Sequence, residues 1–310
     1  MTSETYETIT TGLRFPEGPV VLQDGSVIVV EIERQTITRC HPDGTTSVLA
    51  TPGGGPNGAA IGPDGALYIC NNGGFDWHDS AETGLRPISQ ASDYSGGRLE
   101  RLDLETGALT CLYTASDKGA LKGPNDLVFD KAGGVYFTDY GKMRPRDMDR
   151  GAICYARVDG SDIREIIGPL HSPNGLGLSP DEKTLWVVET FTCRLWAFDL
   201  SAPGEVARQP WHASPNGGRF VADLSGYRGF DSLAVDADGN VCIATLFDGA
   251  ITVISPEGEL VESVPFDDPY CTNIAFGGED MRDAYITLSS TGRLVRMRWN
   301  RPGLKLAFNG

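Results

Sequence analysis

The sequence predicts a six-bladed β-propeller, all-β, with four-stranded antiparallel blades. A phrase that recurs six times, a spacing between copies near the length of one blade, and turn residues from end to end carry the prediction. The 310 residues include 39 Gly and 19 Pro, punctuation that favours many short strands over helices.

Each copy reads as a polar residue, a short apolar run, a turn and a second apolar run. The copies begin Glu17-Gly18-Pro19-Val20-Val21, Asn57-Gly58-Ala59-Ala60-Ile61, Asn125-Asp126-Leu127-Val128-Phe129, Asn174-Gly175-Leu176-Gly177-Leu178, Asp231-Ser232-Leu233-Ala234-Val235 and Thr272-Asn273-Ile274-Ala275-Phe276. Turn segments follow, such as Gln23-Asp24-Gly25 and Pro63-Asp64-Gly65, where glycine accepts the positive φ of a tight turn. Second strands are expected at Val27–Val30, Leu67–Cys70, Val135–Thr138, Leu185–Val188, Val241–Ala244 and Ala284–Thr287. Third and fourth strands complete the unit, as in Thr36–Cys40 with Thr46–Leu49 and Ala250–Ile254 with Leu260–Val264. The copies start 40, 68, 49, 57 and 41 residues apart, so the long intervals hold insertions, the largest from Asn72 to Gly96. One domain over 1–310 is expected, its ring closed by Tyr6–Thr10 or by Leu304–Phe308.

A net charge of −16 repels phosphate backbones and anionic bilayers, which argues against nucleic acid and membrane partners. It attracts a cation, although a solvated acidic surface is the commoner use of such charge. Met1–Thr10 has neither a basic nor an apolar segment, so no signal peptide is expected, and no apolar run reaches the length of a membrane span. The seven cysteines are an odd number without a C-x-x-C pair. Cys70, Cys154 and Cys242 sit in apolar runs and read as core residues, which fits a reduced, cytoplasmic setting. Gly53-Gly54-Gly55-Pro56-Asn57-Gly58 matches G-x-G-x-x-G, but a strand rather than a helix follows it, so the dinucleotide reading fails. No nucleophile elbow or Walker loop is present.

Propeller blades meander outward from an innermost first strand, so the first residue of each copy faces the mouth of the central channel. The inner ring is then Glu17, Asn57, Asn125, Asn174, Asp231 and Thr272. The second strand returns to the same face and ends in an outer ring of Glu31, Asn71, Asp139, Glu189, Thr245 and Leu288. Oxygen-bearing side chains converging on one axis suit a hard divalent cation. The alternative is local: Asn and Asp before Gly are favoured in turns for backbone reasons.

With those motifs in place, the chain resembles the senescence marker protein / gluconolactonase / luciferin-regenerating enzyme family from about Leu13 to Trp299. The motifs are Phe15-Pro16-Glu17-Gly18-Pro19, Gly123-Pro124-Asn125-Asp126, Ser172-Pro173-Asn174-Gly175-Leu176 and Phe230-Asp231-Ser232. The resemblance implies one divalent metal ion (Ca, Zn, Mn or Mg) held by Glu17, Asn174 and Asp231, and a small-molecule lactone, most often a sugar lactone, as substrate. It places a metal-proximal amide at Asn125 and an additional Asn-Gly at Asn57, and both amides are expected to orient the substrate. The chain departs from the family where Phe230 replaces a proline and where the insertion with Phe75, Trp77, His78 and Arg86 stands.

The reaction implied is attack of water on a polarised lactone carbonyl, with Asp231 as general base or as ligand alone. Trp77 and His78 in the insertion and Asp139 in the outer ring are further candidates for contact with substrate. His171 stands close enough in sequence to Asn174 to reach the site, whereas His41 and His212, the latter on an expected outer strand, read as surface residues. Three rival readings remain: hydrolysis of another ester, aryl or phosphotriester; a non-catalytic ligand-binding propeller; and, from Trp186-Val187-Val188-Glu189-Thr190, a strictosidine-synthase-like propeller that works through a glutamate.

Overall fold

A computed structural model describes residues 6–308 and shows a six-bladed β-propeller. Blade 1 is Pro16–Val21, Val27–Glu31, Thr36–Cys40 and Thr46–Ala50, paired in that order. Blade 2 is Pro56–Ile61, Leu67–Asn71, Arg98–Leu102 and Leu109–Tyr113, and blade 3 is Pro124–Phe129, Gly134–Asp139, Gly151–Arg157 and Ile163–Leu170. Blade 4 runs Pro173–Leu178, Thr184–Glu189, Arg194–Ala202, and its third strand pairs outward with both Glu205–Ala207 and Arg219–Asp223. Blade 5 is Gly229–Val235, Val241–Leu246, Ala250–Ile254 and Leu260–Pro265. Blade 6 takes Cys271–Gly277, Asp283–Leu288 and Arg293–Arg298 from the end of the chain and Glu7–Thr10 from its beginning.

That last pairing decides between the two closures open in the sequence. The N-terminal strand closes the ring, with Glu7 opposite Arg296 and Thr8 opposite Val295. Residues 304–308 form no strand; they lie across the lower end of the channel, where Leu304 N bonds Val235 O and the Phe308 ring meets Phe129.

Second strands are apolar through their middle because other blades cover both their faces, and most turn polar only at the end that forms the outer ring. Val27–Glu31, Leu67–Asn71 and Val241–Leu246 are buried at every position, whereas the outermost Thr46–Ala50 has no buried residue. The described residues form six hydrophobic clusters, one between each pair of adjacent blades. Between blades 2 and 3, for example, Tyr68, Cys70 and Leu99 pack on Phe129, Phe137 and Cys154. Each fully buried Phe or Leu there contributes about 1.5–3 kcal/mol. Cys70, Cys154 and Cys242 are all in this core, and none of the described cysteines forms a disulfide.

The excess residues lie outside the four-stranded pattern. The long blade 2 interval holds a hairpin, Phe75–Ser80 with Gly84–Gln90. The blade 4 excess is the irregular stretch 208–218 between its two outer strands, where His212 sits in a turn at φ 83° rather than on a strand. Among the described residues no helix is long and apolar enough to cross a membrane.

Candidate functional site

The inner ring is built by one device repeated in all six blades. The residue before each ring position pairs with the end of the second strand: Pro16 with Glu31, Pro56 with Asn71, Pro124 with Asp139, Pro173 with Glu189, Phe230 with Thr245 and Cys271 with Leu288. The register then shifts over the next residues in every blade. A bulge bends its strand and re-aims the side chain it carries, and here it sits at the ring. Phe230 occupies the place that proline holds in four other blades and keeps the same pairing, so this departure leaves Asp231 in register.

The glycines that follow ring residues answer the turn-chemistry alternative. A Cβ on Gly58 would stand 2.4 Å from Asn125 O, and one on Gly175 would stand 2.6 Å from Leu233 N and 2.8 Å from Asp231 O. These glycines exist because adjacent inner strands nearly touch at the axis, which brings each ring residue close to the next.

Five of the six ring residues line a cavity of about 480 Å³ at the channel mouth: Glu17, Asn57, Asn125, Asn174 and Asp231. Thr272 does not, because its hydroxyl is engaged with Thr287, Ser289 and Pro16 O. The next residue, Asn273, serves the floor from below, its Nδ2 donating to Glu17 Oε2 at 2.8 Å. Glu17 Oε2 also accepts from Gly18 N at 2.8 Å. Asn174 Nδ2 donates to Asp231 Oδ1 at 2.6 Å and to Thr190 Oγ1 at 3.0 Å. The side-chain Oδ1 atoms of Asn174 and Asn125 are buried without any partner.

Electrostatics single out the same place. Burial and then the charge of Asp231 push the Glu17 carboxyl well above the usual carboxylate range. Burial pushes Asp231 up to about 8, against the hydrogen bond from Asn174, and pushes Asp126, below the ring, up to about 7. None of these three acids forms an ion pair with a described basic residue, so their mutual repulsion is relieved only by hydrogen bonds. Among the described residues no three His, Cys, Asp or Glu side chains cluster as a metal site. The donor set is instead two carboxylates with amides, and orphaned amide oxygens beside unpaired carboxylates fit a hard divalent cation.

The outer ring performs a different task. Glu31 accepts from Arg14 N at 2.7 Å, Asn71 from Gly55 N at 2.9 Å, Asp139 from Gly123 N at 2.6 Å and Glu189 from His171 N at 2.7 Å. Each thus clamps the loop entering its own blade's inner strand. Asp139, expected against substrate, spends both oxygens on Lys122, Gly123 and Gly141 amides and lies off the cavity. Glu189 is likewise filled, by His171 N, Thr192 Oγ1 and Trp196 Nε1, and is absent from the cavity wall, which removes the glutamate-centred reading. The His171 side chain is exposed outside the cavity.

The blade 2 hairpin roofs the cavity. Leu85 N bonds Ser290 O and Gln90 N bonds Met143 O, so its second strand is pinned to loops of blades 6 and 3. The buried Lys142 holds the hairpin's base, its Nζ on Asn72 Oδ1 at 3.1 Å and Gly74 O at 2.8 Å and over the Phe75 ring at 3.9 Å. Burial pulls that ammonium down to about 7. Trp77 and His78 were expected at the substrate, but neither lines the cavity. The Trp77 ring packs on Phe15 and Phe75, which do line it, and His78 stands opposite Arg86, which reaches the cavity in its place. Sequence reasoning missed Thr190, Tyr140 and the rim of Tyr227, Arg228, Phe247 and Tyr270. Phe247 carries a positive φ of 70° and stacks on Tyr227 at 4.6 Å; its place one residue past the second strand of blade 5 was the one available signal.

The sequence profile of the SMP-30/Gluconolactonase/LRE-like region matches residues 15–290. Lactonase drp35 of Staphylococcus saprophyticus is 28% identical over 80% of this chain and 68% of its own length. Against drp35 of Staphylococcus haemolyticus and Staphylococcus epidermidis the match spans only 54% and 66% of the relative. A gluconolactonase of Zymomonas mobilis is 26% identical over 96% of this chain and 82% of its own. Among solved structures, a gluconolactonase of Xanthomonas campestris superposes with a TM-score of 0.74 at 20% identity, covering 97% of this chain and 91% of that one. A calcium-binding regucalcin of Agrobacterium tumefaciens gives 0.73 at 19% identity, with 98% of each chain covered. At these identities the structures establish the common fold.

Proposed function

Because the chain belongs to the SMP-30/gluconolactonase/LRE-like family, we propose that it is a hydrolase that opens a small lactone on the floor of the cavity, with Glu17, Asn174 and Asp231 holding one divalent ion. The observation that carries this reading is the floor itself: two carboxylates without a basic partner beside two buried amide oxygens without a hydrogen bond. The lactonase names of the curated relatives support it, and the calcium-binding neighbour agrees with the ion. Oxygen-only donors suit calcium, magnesium or manganese, and zinc accepts them too.

A divalent ion held there supplies Lewis acidity toward the lactone carbonyl and positive charge for the developing oxyanion. The rest falls to the chain's own groups. Asn174 fixes one Asp231 oxygen through its 2.6 Å bond, which leaves the other, with no hydrogen bond from a described residue, to take a proton from the attacking water. Asn273 and the Gly18 amide hold Glu17 Oε2 in place. Asn125 and Asn57 present amides to the substrate's polar atoms. The pinned hairpin bounds the cavity on one side and residues 304–308 lie across the channel below. The ring acyl C–O bond breaks, and a hydroxy acid leaves with one proton released.

A sugar lactone is the family's expectation, and the ring carboxylates and amides of the floor are groups that match its hydroxyls. Proton release from a lactone panel, with wild type and Asp231→Asn, tests the reading. Hydrolysis by wild type that falls by about 10²–10⁴ in the variant supports it; a wild type inert toward every lactone contradicts it.

A further inference from the structure

Above its polar floor the cavity is walled by side chains unsuited to a polyol. Phe15, Phe75, Ile88, Met143, Phe247 and Tyr270 face the space a substrate's body must fill. A sugar hydroxyl buried against such walls without a partner costs about 1–3 kcal/mol, so each ring hydroxyl pointing away from the floor lowers affinity. The same walls favour a flat, apolar body, which rings contact well.

Polar groups interrupt this wall at Ser89, Tyr227, Arg228 and Arg86, and Arg86 stands out among them. Arg86 lines the cavity half-buried and, among the described residues, forms no hydrogen bond or ion pair. The other lining arginine, Arg228, is already paired with Asp248 at 2.7 Å. Arg86 is rigidly mounted, since it follows Leu85, tied to Ser290 O, on a strand whose other end is tied to Met143 O. Its charge opposes the effect of burial on Tyr270, which puts the guanidinium near that ring. A half-buried cation without a counter-ion, on a fixed strand facing a ligand cavity, is the arrangement that captures a carboxylate through two parallel N–H bonds.

Resting on the lactonase reading, we propose that the preferred substrate is an apolar or aromatic lactone bearing a carboxylate, with the lactone ring on the floor and the carboxylate on Arg86. Water adds to the lactone carbonyl, the ring C–O bond breaks, and the product is a hydroxy dicarboxylate with one proton released; the substituent carboxylate is unchanged. Arg86 is therefore a specificity residue that touches substrate and takes no part in proton transfer.

The test uses the full chain supplied with a divalent cation and two matched probes, γ-phenyl-γ-butyrolactone and the same lactone with a carboxylate on the phenyl ring. Wild type is expected to favour the carboxylated lactone at least about tenfold in kcat/KM. Arg86→Gln is expected to abolish that preference, chiefly through a raised KM for the carboxylated lactone, and Arg86→Lys to recover part of it. Equal use of both lactones by wild type overturns the proposal, as does an equal loss on both in Arg86→Gln that Arg86→Lys does not relieve. If wild type opens neither probe and no other lactone, the lactonase reading itself fails; opening the neutral probe without preference removes the role of Arg86 alone.

Discussion

Replacing Gly175 with alanine adds one methyl group where two blades meet at the axis. Its carbon would lie 2.6 Å from Leu233 N, 2.7 Å from Ser232 Cα and 2.8 Å from Asp231 O. All three are backbone atoms, so no side chain can rotate away. Restoring contacts of about 3.5 Å requires the blade 5 strand to retreat by about 0.7–0.9 Å. Overpacking of this kind costs about 1–3 kcal/mol and lowers Tm by several degrees. The retreating residue is Asp231, whose 2.6 Å bond to Asn174 would stretch to about 3.3–3.5 Å and weaken. Displacement by nearly 1 Å at reacting groups costs about 10²-fold in rate. The assay is lactone hydrolysis with a parallel thermal melt, and Gly65→Ala is the control. Gly65 has a φ of 75°, which alanine would adopt only with strain, whereas no atom lies within 4 Å of its added carbon and it sits in a turn of blade 2. It should lose about 1–2 kcal/mol of stability and no activity. A Gly175→Ala protein with kcat/KM like that of the control would refute the claim that strand contact at the axis sets the floor.

Two further perturbations separate structural from chemical roles. Glu189→Gln should lower Tm by several degrees, since a buried carboxylate accepting three hydrogen bonds loses about 1–3 kcal/mol of charge-assisted bonding, yet kcat/KM should hold; a large kcat loss at unchanged Tm would restore Glu189 to the chemistry. Lys142 has a folded-state pKa near 7, below its ordinary 10.5, so the unfolded chain binds more protons between those values and its contribution to stability rises with pH there. Compared with Lys142→Met, wild type should therefore gain up to about 1.4 kcal/mol per pH unit from pH 7 toward 10 in denaturant titrations; a flat difference would mean that the ring of Phe75 and the two oxygens hold the ammonium charged.

The blades were legible in the sequence because the repeat carries its own register: a ring residue, a bulge and a buried second strand recur at intervals that survive insertions. The same register named Glu17, Asn57, Asn125, Asn174 and Asp231, all of which line one cavity. It misplaced Thr272 because spacing fixes where a residue falls along a strand and not which partner its hydroxyl finds; Ser289 and Pro16 O capture it, and Asn273 serves Glu17 instead. Asp139 and Glu189 looked alike as acids near the mouth, and only their hydrogen bonds show them to be loop clamps. In the insertion, the aromatic and charged residues at 75–86 were visible, but the hairpin's bulge between Asp76 and Trp77 decides which of them reach the cavity. No periodic signal encodes that choice. Nor does one encode the rim of Tyr227 and Phe247, which comes from loops of unlike length.

The central claim is that Glu17, Asn174 and Asp231 hold a divalent ion on which lactone opening depends. Hydrolysis should be measured on one sample as purified, after chelation and after a divalent ion is restored, with elemental analysis at each stage. Activity should fall to background on chelation, return with the ion, and fail to return in Asn174→Ala. Full activity in protein shown to be free of metal would contradict it.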